Sequence, residues 1–295
     1  MRVYWFAIFM KTSFTYIDTH AHVNLGAFDA DREAVLANLE KEGVAHINIG
    51  TQQKTSKKAV EIAESHVSAY AIVGLHPIQT IPGLHDEDEI GKGGTPFFST
   101  GEVFEVDYYR ALAQSEKVVG IGECGFDYWH CPKESYQVQE RAFISQIELA
   151  NELDLPLMIH TRGPKKGEES PTGRSVYLDV YAVLKQYAKV PFNVHFYAGT
   201  FEEAEKFFEI GGTISFTGVI TFAKDYADIV RNTPLELLHA ETDCPFVAPV
   251  PYRGRRCEPW MVKEVYKKIA ELKDMDEETV RHQVVLNAKK LYKIN

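Results

Sequence analysis

The sequence predicts an α/β protein built as a single (β/α)₈ barrel. Three observations point there. Short runs rich in β-branched and aromatic residues alternate with helical patterns along the whole chain. Several of those runs are apolar on both faces, as in Ala71-Ile72-Val73, which suits parallel strands covered by helices. The length, 295 residues, fits one barrel of about 250 residues with a surplus for loops. At about 150 residues per domain the same length allows two domains, but no repeat or low-complexity linker divides the chain. An open doubly wound sheet would place a glycine-rich phosphate loop after its first strand. His20-Ala21-His22 stands there instead.

Taken in order, the predicted strands are 16–23, 45–51, 69–75, 118–123, 156–160, 192–196, 213–217 and 237–242. The predicted helices are 31–42, 56–65, 106–115, 135–153, 176–187, 201–208 and 226–232, with two more over 259–272 and 277–292. Two long loops, 78–102 and 163–173, follow strands and so belong on the C-terminal face, where lids and substrate walls are commonly built. The first is acidic at His85-Asp86-Glu87-Asp88-Glu89. The second carries Lys165 and Lys166.

Residues 1–15 read as an N-terminal extension ahead of a barrel domain over 16–295. Met1 to Met10 is apolar apart from Arg2, but no small-residue cleavage site follows it. Ten residues are also short of the roughly 20 needed to cross a bilayer. The stretch is expected to be an added strand or plug, or an upstream start before Met10. No membrane association is expected.

Hydrophobic residues at 45% and charged residues at 25% exclude a disordered, collagenous or disulfide-stapled chain. Lys+Arg of 32 against Asp+Glu of 42 gives a net charge of −10. That balance argues against coating nucleic acid through bulk charge, while leaving room for a local site. Cys124, Cys131, Cys244 and Cys257 form no C-x-x-C pair, so reduced thiols and a cytoplasmic setting are expected.

Metal-capable side chains gather at the predicted strand ends. His20 and His22, one residue apart, project from the same face of the first strand. Glu123 ends the fourth, His160 the fifth and Asp243 the eighth, with His195 near the end of the sixth. All six belong at the C-terminal mouth. Left unpartnered, such a cluster would carry a desolvation cost that a divalent cation removes. Imidazole with carboxylate favours zinc, manganese, iron or cobalt over calcium. Six ligands exceed one tetrahedral zinc. Two ions bridged by one carboxylate would use them all and would activate a water between them.

These segments resemble the TatD family of metal-dependent hydrolases, within the amidohydrolase-like barrels. The resemblance runs from about residue 16 to 292. It is carried by Asp18-Thr19-His20-Ala21-His22, Gly74-Leu75-His76-Pro77, Gly122-Glu123-Cys124-Gly125-Phe126-Asp127-Tyr128, Ile159-His160-Thr161-Arg162, His195-Phe196-Tyr197-Ala198-Gly199, Glu241-Thr242-Asp243-Cys244-Pro245 and Arg253-Gly254-Arg255-Arg256-Cys257-Glu258-Pro259. The resemblance implies that His20, His22, Glu123, His160, His195 and Asp243 hold two divalent ions (zinc, magnesium or manganese). It implies that Glu123 bridges them and that Asp243 also takes the proton from the attacking water. It implies a monomeric phosphodiesterase of the 3′-to-5′ deoxyribonuclease type, meeting DNA or a short oligonucleotide transiently. The alternative is a hydrolase of another ester or amide bond, such as a D-aminoacyl-tRNA deacylase.

Supporting roles follow. His76 is expected to line the substrate cleft or to cap a loop. Arg162 and Arg253 are candidates to clamp a phosphate. Asp127 is expected to orient Glu123 or a histidine from behind, or to cap its loop. Tyr128 and Trp129 are candidates to stack on a base, while His46, His66, His239 and His282 read as structural. The chain departs from the family pattern at two places. The usual H-C-F-S/T-G segment reads His-Phe-Tyr-Ala-Gly, and the usual Asn of R-x-x-N-E-P is Cys257. Both changes are expected to alter the cleft wall rather than the ligands.

Overall fold

Eight parallel strands run in the order β1, β2, β3, β6, β7, β8, β9, β10 around a nearly closed barrel. The computed structural model describes residues 14–85 and 96–295; the expectations for Met1 to Met10 and for Asp86 to Glu89 lie outside them. The strands are β1 (Tyr16–Ala21), β2 (Val44–Ile49), β3 (Ala69–Val73), β6 (Val118–Asp127), β7 (Leu157–Arg162), β8 (Phe192–Val194), β9 (Gly212–Phe216) and β10 (Leu238–Ala240). The seam is closed by a single parallel bridge, Ala21 to Cys244.

Helices alternate with the strands and cover the barrel. They are α1 (Arg32–Glu42), α2 (Gln53–Ser65), α3 (Val106–Leu112), α4 (Tyr136–Leu153), α5 (Val176–Tyr187), α6 (Phe201–Glu209), α7 (Ala227–Asn232), α8 (Val262–Lys273) and α9 (Glu277–Leu291). Local signals start them. Thr200 and Glu203 exchange side-chain and backbone hydrogen bonds (2.8 and 3.2 Å) at the head of α6. α4 buries Gln139, Phe143, Gln146, Ile147 and Ala150, spaced to form one face. Its two buried glutamines reach the ends of strands. Gln146 pairs with both backbone groups of Leu75 (2.8 and 2.9 Å), and Gln139 with both of Asp127 (2.8 and 3.1 Å). The outer core lies between strands and helices. The barrel interior, by contrast, carries Asp18, His20, His46, Asn48, Asn193, Ser215, His239 and Glu241, all buried.

Two features differ from the expected elements. The loop after β3 contains an antiparallel hairpin, β4 (Pro82–His85) with β5 (Phe97–Thr100), in which Leu84 faces Phe98. The glycines and prolines around it mask the strand pattern. Glu123 does not end its strand, because β6 continues to Asp127, pairing Cys124 to Asp127 with Ile159 to Arg162. The register shifts between Ile121 and Cys124. Gly122 and Gly125 sit at φ +142° and +143°, where a Cβ would lie 2.5 Å from the Met158 carbonyl and 2.1 Å from that of His160. Only glycine lets β6 bulge this close to β7. In the other direction, β8 and β10 stop short of His195 and Asp243.

Candidate metal centre

The bulge in β6 aims Glu123 into the barrel mouth, where it is the hub of the site. His195 Nε2 and His160 Nδ1 each lie 2.7 Å from Glu123 Oε1, and His20 Nε2 lies 3.3 Å from Oε2. His20 Nε2 and His22 Nε2 approach to 3.1 Å, with Asp243 Oδ1 at 3.6 and 3.5 Å from them. The His20 and His195 rings stack, 3.9 Å between centroids. The six expected residues therefore meet at one place.

Their surroundings hold them there. Asp243 N donates to the His20 carbonyl (2.9 Å), and the Asp18 carboxylate accepts from both Thr242 groups (2.9 and 2.5 Å). Asp243 adopts a left-handed φ of +54°, a conformation held by its neighbours and common at functional sites. Asp127 Oδ2 accepts from His160 Nε2 (3.1 Å) and His130 Nδ1 (2.8 Å), while Oδ1 accepts from the Trp129 and His130 backbone. One side chain thus touches both a candidate ligand and the backbone of its own loop. His76 also does two things. Its Nδ1 accepts from Ile78 N (3.2 Å), so a neutral ring carries its hydrogen on Nε2, which faces Glu123 Oε1 at 3.4 Å.

The electrostatics are strongly coupled. Burial opposes the charge of Glu123, yet the imidazoles of His195, His76 and His20 hold it well below the usual carboxylate range. Burial also opposes a charged His195, but Glu123 and Glu241 raise it well above its ordinary value. His20, pushed down to about 3 by burial and by His195, stays neutral.

The donor set fits a divalent cation. His22 Nδ1 faces the Ile49 carbonyl at 3.1 Å; a carbonyl only accepts, so the hydrogen sits on Nδ1 and Nε2 turns a lone pair toward His20. Lone pairs outnumber hydrogens among these converging atoms, which is the condition a cation relieves. Three overlapping groups could hold an ion: His20, His22 and Asp243; His20, Glu123 and His195; and His76, Glu123 and His160.

The site opens into a cavity of about 1690 Å³ lined by Trp129, Arg162, Phe222 and Arg253, among others. Arg162 lies over the Trp129 ring (5.1 Å) and Arg253 over that of Phe222 (4.0 Å). Neither arginine forms an ion pair among the described residues, so both keep donors for a ligand. Trp129 is 38% exposed. Tyr128 is not free to stack on a base, for it is buried and its hydroxyl donates to Asp179 (2.9 Å). Of the departing residues, Phe196 and Ala198 reach the cavity wall. Tyr197 is buried and bonded to the Thr200 carbonyl, and Cys257 is buried behind the loop of Pro245. All four cysteines are buried. His46 and His239 are buried inside the barrel, and His66 faces Glu40 at the surface (3.4 Å). No helix among the described residues is long and apolar enough to cross a membrane.

A buried carboxylate beside His195 escaped the sequence reading. Glu241 lies inside the barrel, 3.5 Å from His195 Nδ1. It was visible only as the first letter of a motif whose Asp243 drew the attention.

The chain is similar in sequence and fold to known proteins. The family model described as TatD related DNase matches residues 17–293. An uncharacterized metal-dependent hydrolase of Bacillus subtilis (strain 168), YabD, is 35% identical over 283 residues, covering 94% of this chain and 99% of its own. The 3′-5′ ssDNA/RNA exonuclease TatD of Pantoea ananatis is 29% identical over 276 residues, covering 90% and 94%. Among solved structures, the TatD homologue YJJV of Escherichia coli K12 superposes with a TM-score of 0.77 at 24% identity, covering 95% and 99%. A TatD family hydrolase of Entamoeba histolytica gives 0.75 at 21%, covering 96% and 99%.

Proposed function

The chain belongs to the TatD-related DNase family of metal-dependent hydrolases, and from that premise we propose that it is a divalent-metal phosphodiesterase trimming single-stranded DNA from its 3′ end. The observation that carries this reading is the convergence of six ligand-type side chains on the floor of a cavity whose walls hold two arginines without carboxylate partners.

His20, His22, Asp243 and Glu123 Oε2 would hold one ion, and Glu123 Oε1, His160 and His195 a second; zinc, magnesium or manganese each suit some of these donors. When bound, such ions acidify a coordinated water and neutralise charge on the phosphoryl oxygens. The protein's own groups do the rest. Asp243, whose side chain is 14% exposed, accepts the proton of the attacking water. Arg162 and Arg253 bind the phosphates flanking the scissile bond. Trp129 and Phe222 offer ring faces to unpaired bases. The Pantoea ananatis relative, named an exonuclease on single strands, supports this substrate class. A cavity of about 1690 Å³ exceeds the roughly 300–1,000 Å³ of small-ligand pockets, as a polymer end requires.

The test is release of nucleotides from 5′-labelled single-stranded DNA with magnesium, manganese or zinc, with and without chelator. Chelator-sensitive shortening from the 3′ end is expected. No release with any ion would overturn the nuclease reading. A second reading, hydrolysis of another ester or amide such as a D-aminoacyl-tRNA bond, is favoured by one observation, the bulky Phe196 in the cavity wall where the family pattern has a small thiol. A panel of ester, amide and aminoacyl-tRNA substrates separates the two.

A further inference from the structure

His195 Nδ1 is buried and has no hydrogen-bond partner. In front of it lies an acceptor, Glu241 Oε1, at 3.5 Å. That distance is longer than a formed hydrogen bond of about 2.7–3.2 Å, but a small ring rotation closes it. Glu241 is fully buried, and among the described residues no lysine or arginine forms an ion pair with it. A buried carboxylate of this kind is costly unless something nearby uses its charge.

The barrel interior supplies that carboxylate with an ordered line of donors. His239 Nε2 lies 3.1 Å from Thr213 Oγ1, and Thr213 Oγ1 lies 3.2 Å from Asn193 Oδ1. The Asn193 amide donates to Ser215 Oγ (2.7 Å), and the Ser215 hydroxyl donates to Glu241 Oε2 (2.6 Å). Phe196 N donates to Oε1 (2.7 Å) just after His195, where the chain turns through φ +45°. Strand register puts these groups side by side, with Asn193 opposite Thr213 and Ser215 opposite His239. The single Thr213 hydrogen has two acceptors in reach, the Phe192 carbonyl (3.1 Å) and Asn193 Oδ1 (3.2 Å), so the directed part of the line runs from Asn193 through Ser215 to Glu241, where the two dipoles add at the carboxylate.

We infer that Glu241 is a positioning residue for the metal centre, accepting the Nδ1 hydrogen of His195 so that Nε2 is turned to the ion, and that Asn193 and Ser215 fix Glu241 for this task. Asp127 has the matching relation to His160 on the neighbouring strand. The inference rests on the reading of the site as a metal centre, and the experiment separates the two. Zinc affinity of the full chain is measured by competition with a chromophoric chelator for the wild type, Glu241→Gln and Ser215→Ala, with thermal melting of each metal-free protein alongside. Glu241→Gln is isosteric and is expected to weaken zinc binding about 10- to 100-fold, as loss of an outer partner of a ligand does. Ser215→Ala removes one donor to the carboxylate and is expected to weaken binding in the same direction by less. It also keeps the test open if the glutamine variant fails to fold. Wild-type binding with unchanged affinity in the folded variants, and only a lowered melting temperature, would overturn the inference and leave the metal centre standing. A wild type that binds no zinc, manganese or magnesium would overturn both.

Discussion

Asp127 holds His160 by the far side of its ring, with Nε2 donating to Oδ2 across 3.1 Å. A carboxylate only accepts, so this contact puts a hydrogen on Nε2 and turns Nδ1 toward Glu123, 2.7 Å away. His130 and His160 together keep Asp127 well below its ordinary value despite its burial, so it is ionised throughout the neutral range. Asp127→Asn is therefore expected to lower metal affinity and turnover about 10- to 100-fold with the fold retained. Chelator competition and initial rates on the same preparation check it; unchanged values in both would remove Asp127 from the centre.

Glu123 and Asp243 differ in role, and their variants should differ too. Glu123→Ala removes the hub of the ligand set and should abolish both metal retention and turnover. Asp243→Asn keeps the side-chain shape and should lose about 10²- to 10⁴-fold in turnover, the range for a general base, while holding at least one ion. Metal analysis after gel filtration, with circular dichroism for the fold, distinguishes them.

Removing metal should lower stability as well as activity. An ion at 100 times its dissociation constant stabilises by about 2.7 kcal/mol. Melting curves with and without chelator should shift by several degrees, and re-addition should restore both melting point and turnover. Identical curves would argue against a bound ion.

Arg162 and Arg253 are expected to act on binding rather than chemistry. Their alanine variants should raise KM for an oligonucleotide about 5- to 30-fold, partial exposure trimming the charge-assisted bond. The value of kcat should change little. A fall in kcat with unchanged KM would place them at the reacting phosphate instead.

Acid sensitivity should come from histidines outside the centre. Burial pushes His46 (with His66 and Lys117 adding to the effect) and His239 down to about 3. Above pH 6.5 both are neutral folded or unfolded and contribute nothing. As pH falls from 6.5 toward 3 the unfolded chain takes up protons that the native state refuses, so stability falls. The loss is about 1.4 kcal/mol per pH unit for each histidine. His46, with neither ring nitrogen partnered, is the clearer test. Chemical denaturation of His46→Leu at pH 7 and pH 4.5 should show a shallower acid loss than wild type.

Most of the barrel and the convergence of the six candidate ligands were legible because each strand carries its own pattern and each candidate falls at or near a strand end. Three things were not. The β4–β5 hairpin is written in glycine, proline and exposed apolar residues such as Leu84 and Phe98, which read as loop. The true extent of β6 depends on a bulge, and period-two counting fails wherever one residue is added. The line from His239 to Glu241 exists only through register, since Asn193, Thr213, Ser215 and His239 lie on three strands and look like ordinary polar residues when read one at a time. Tyr128 shows the opposite error, an aromatic beside the site that packs inward because Asp179 offers its hydroxyl a partner.

The seam between β1 and β10 has a consequence for how the enzyme is made. His20 and His22 leave the ribosome early, while Asp243, which completes their ion site, emerges more than two hundred residues later; the pairing of Asp18 with Thr242 spans 224 positions. Contacts that distant form late. With the proposed roles, a growing or truncated chain that lacks β10 holds the first two histidines without Asp243 and should show no turnover. Activity should begin only when β10 docks against β1, so the proposed hydrolysis stays silent while the earlier strands are being made.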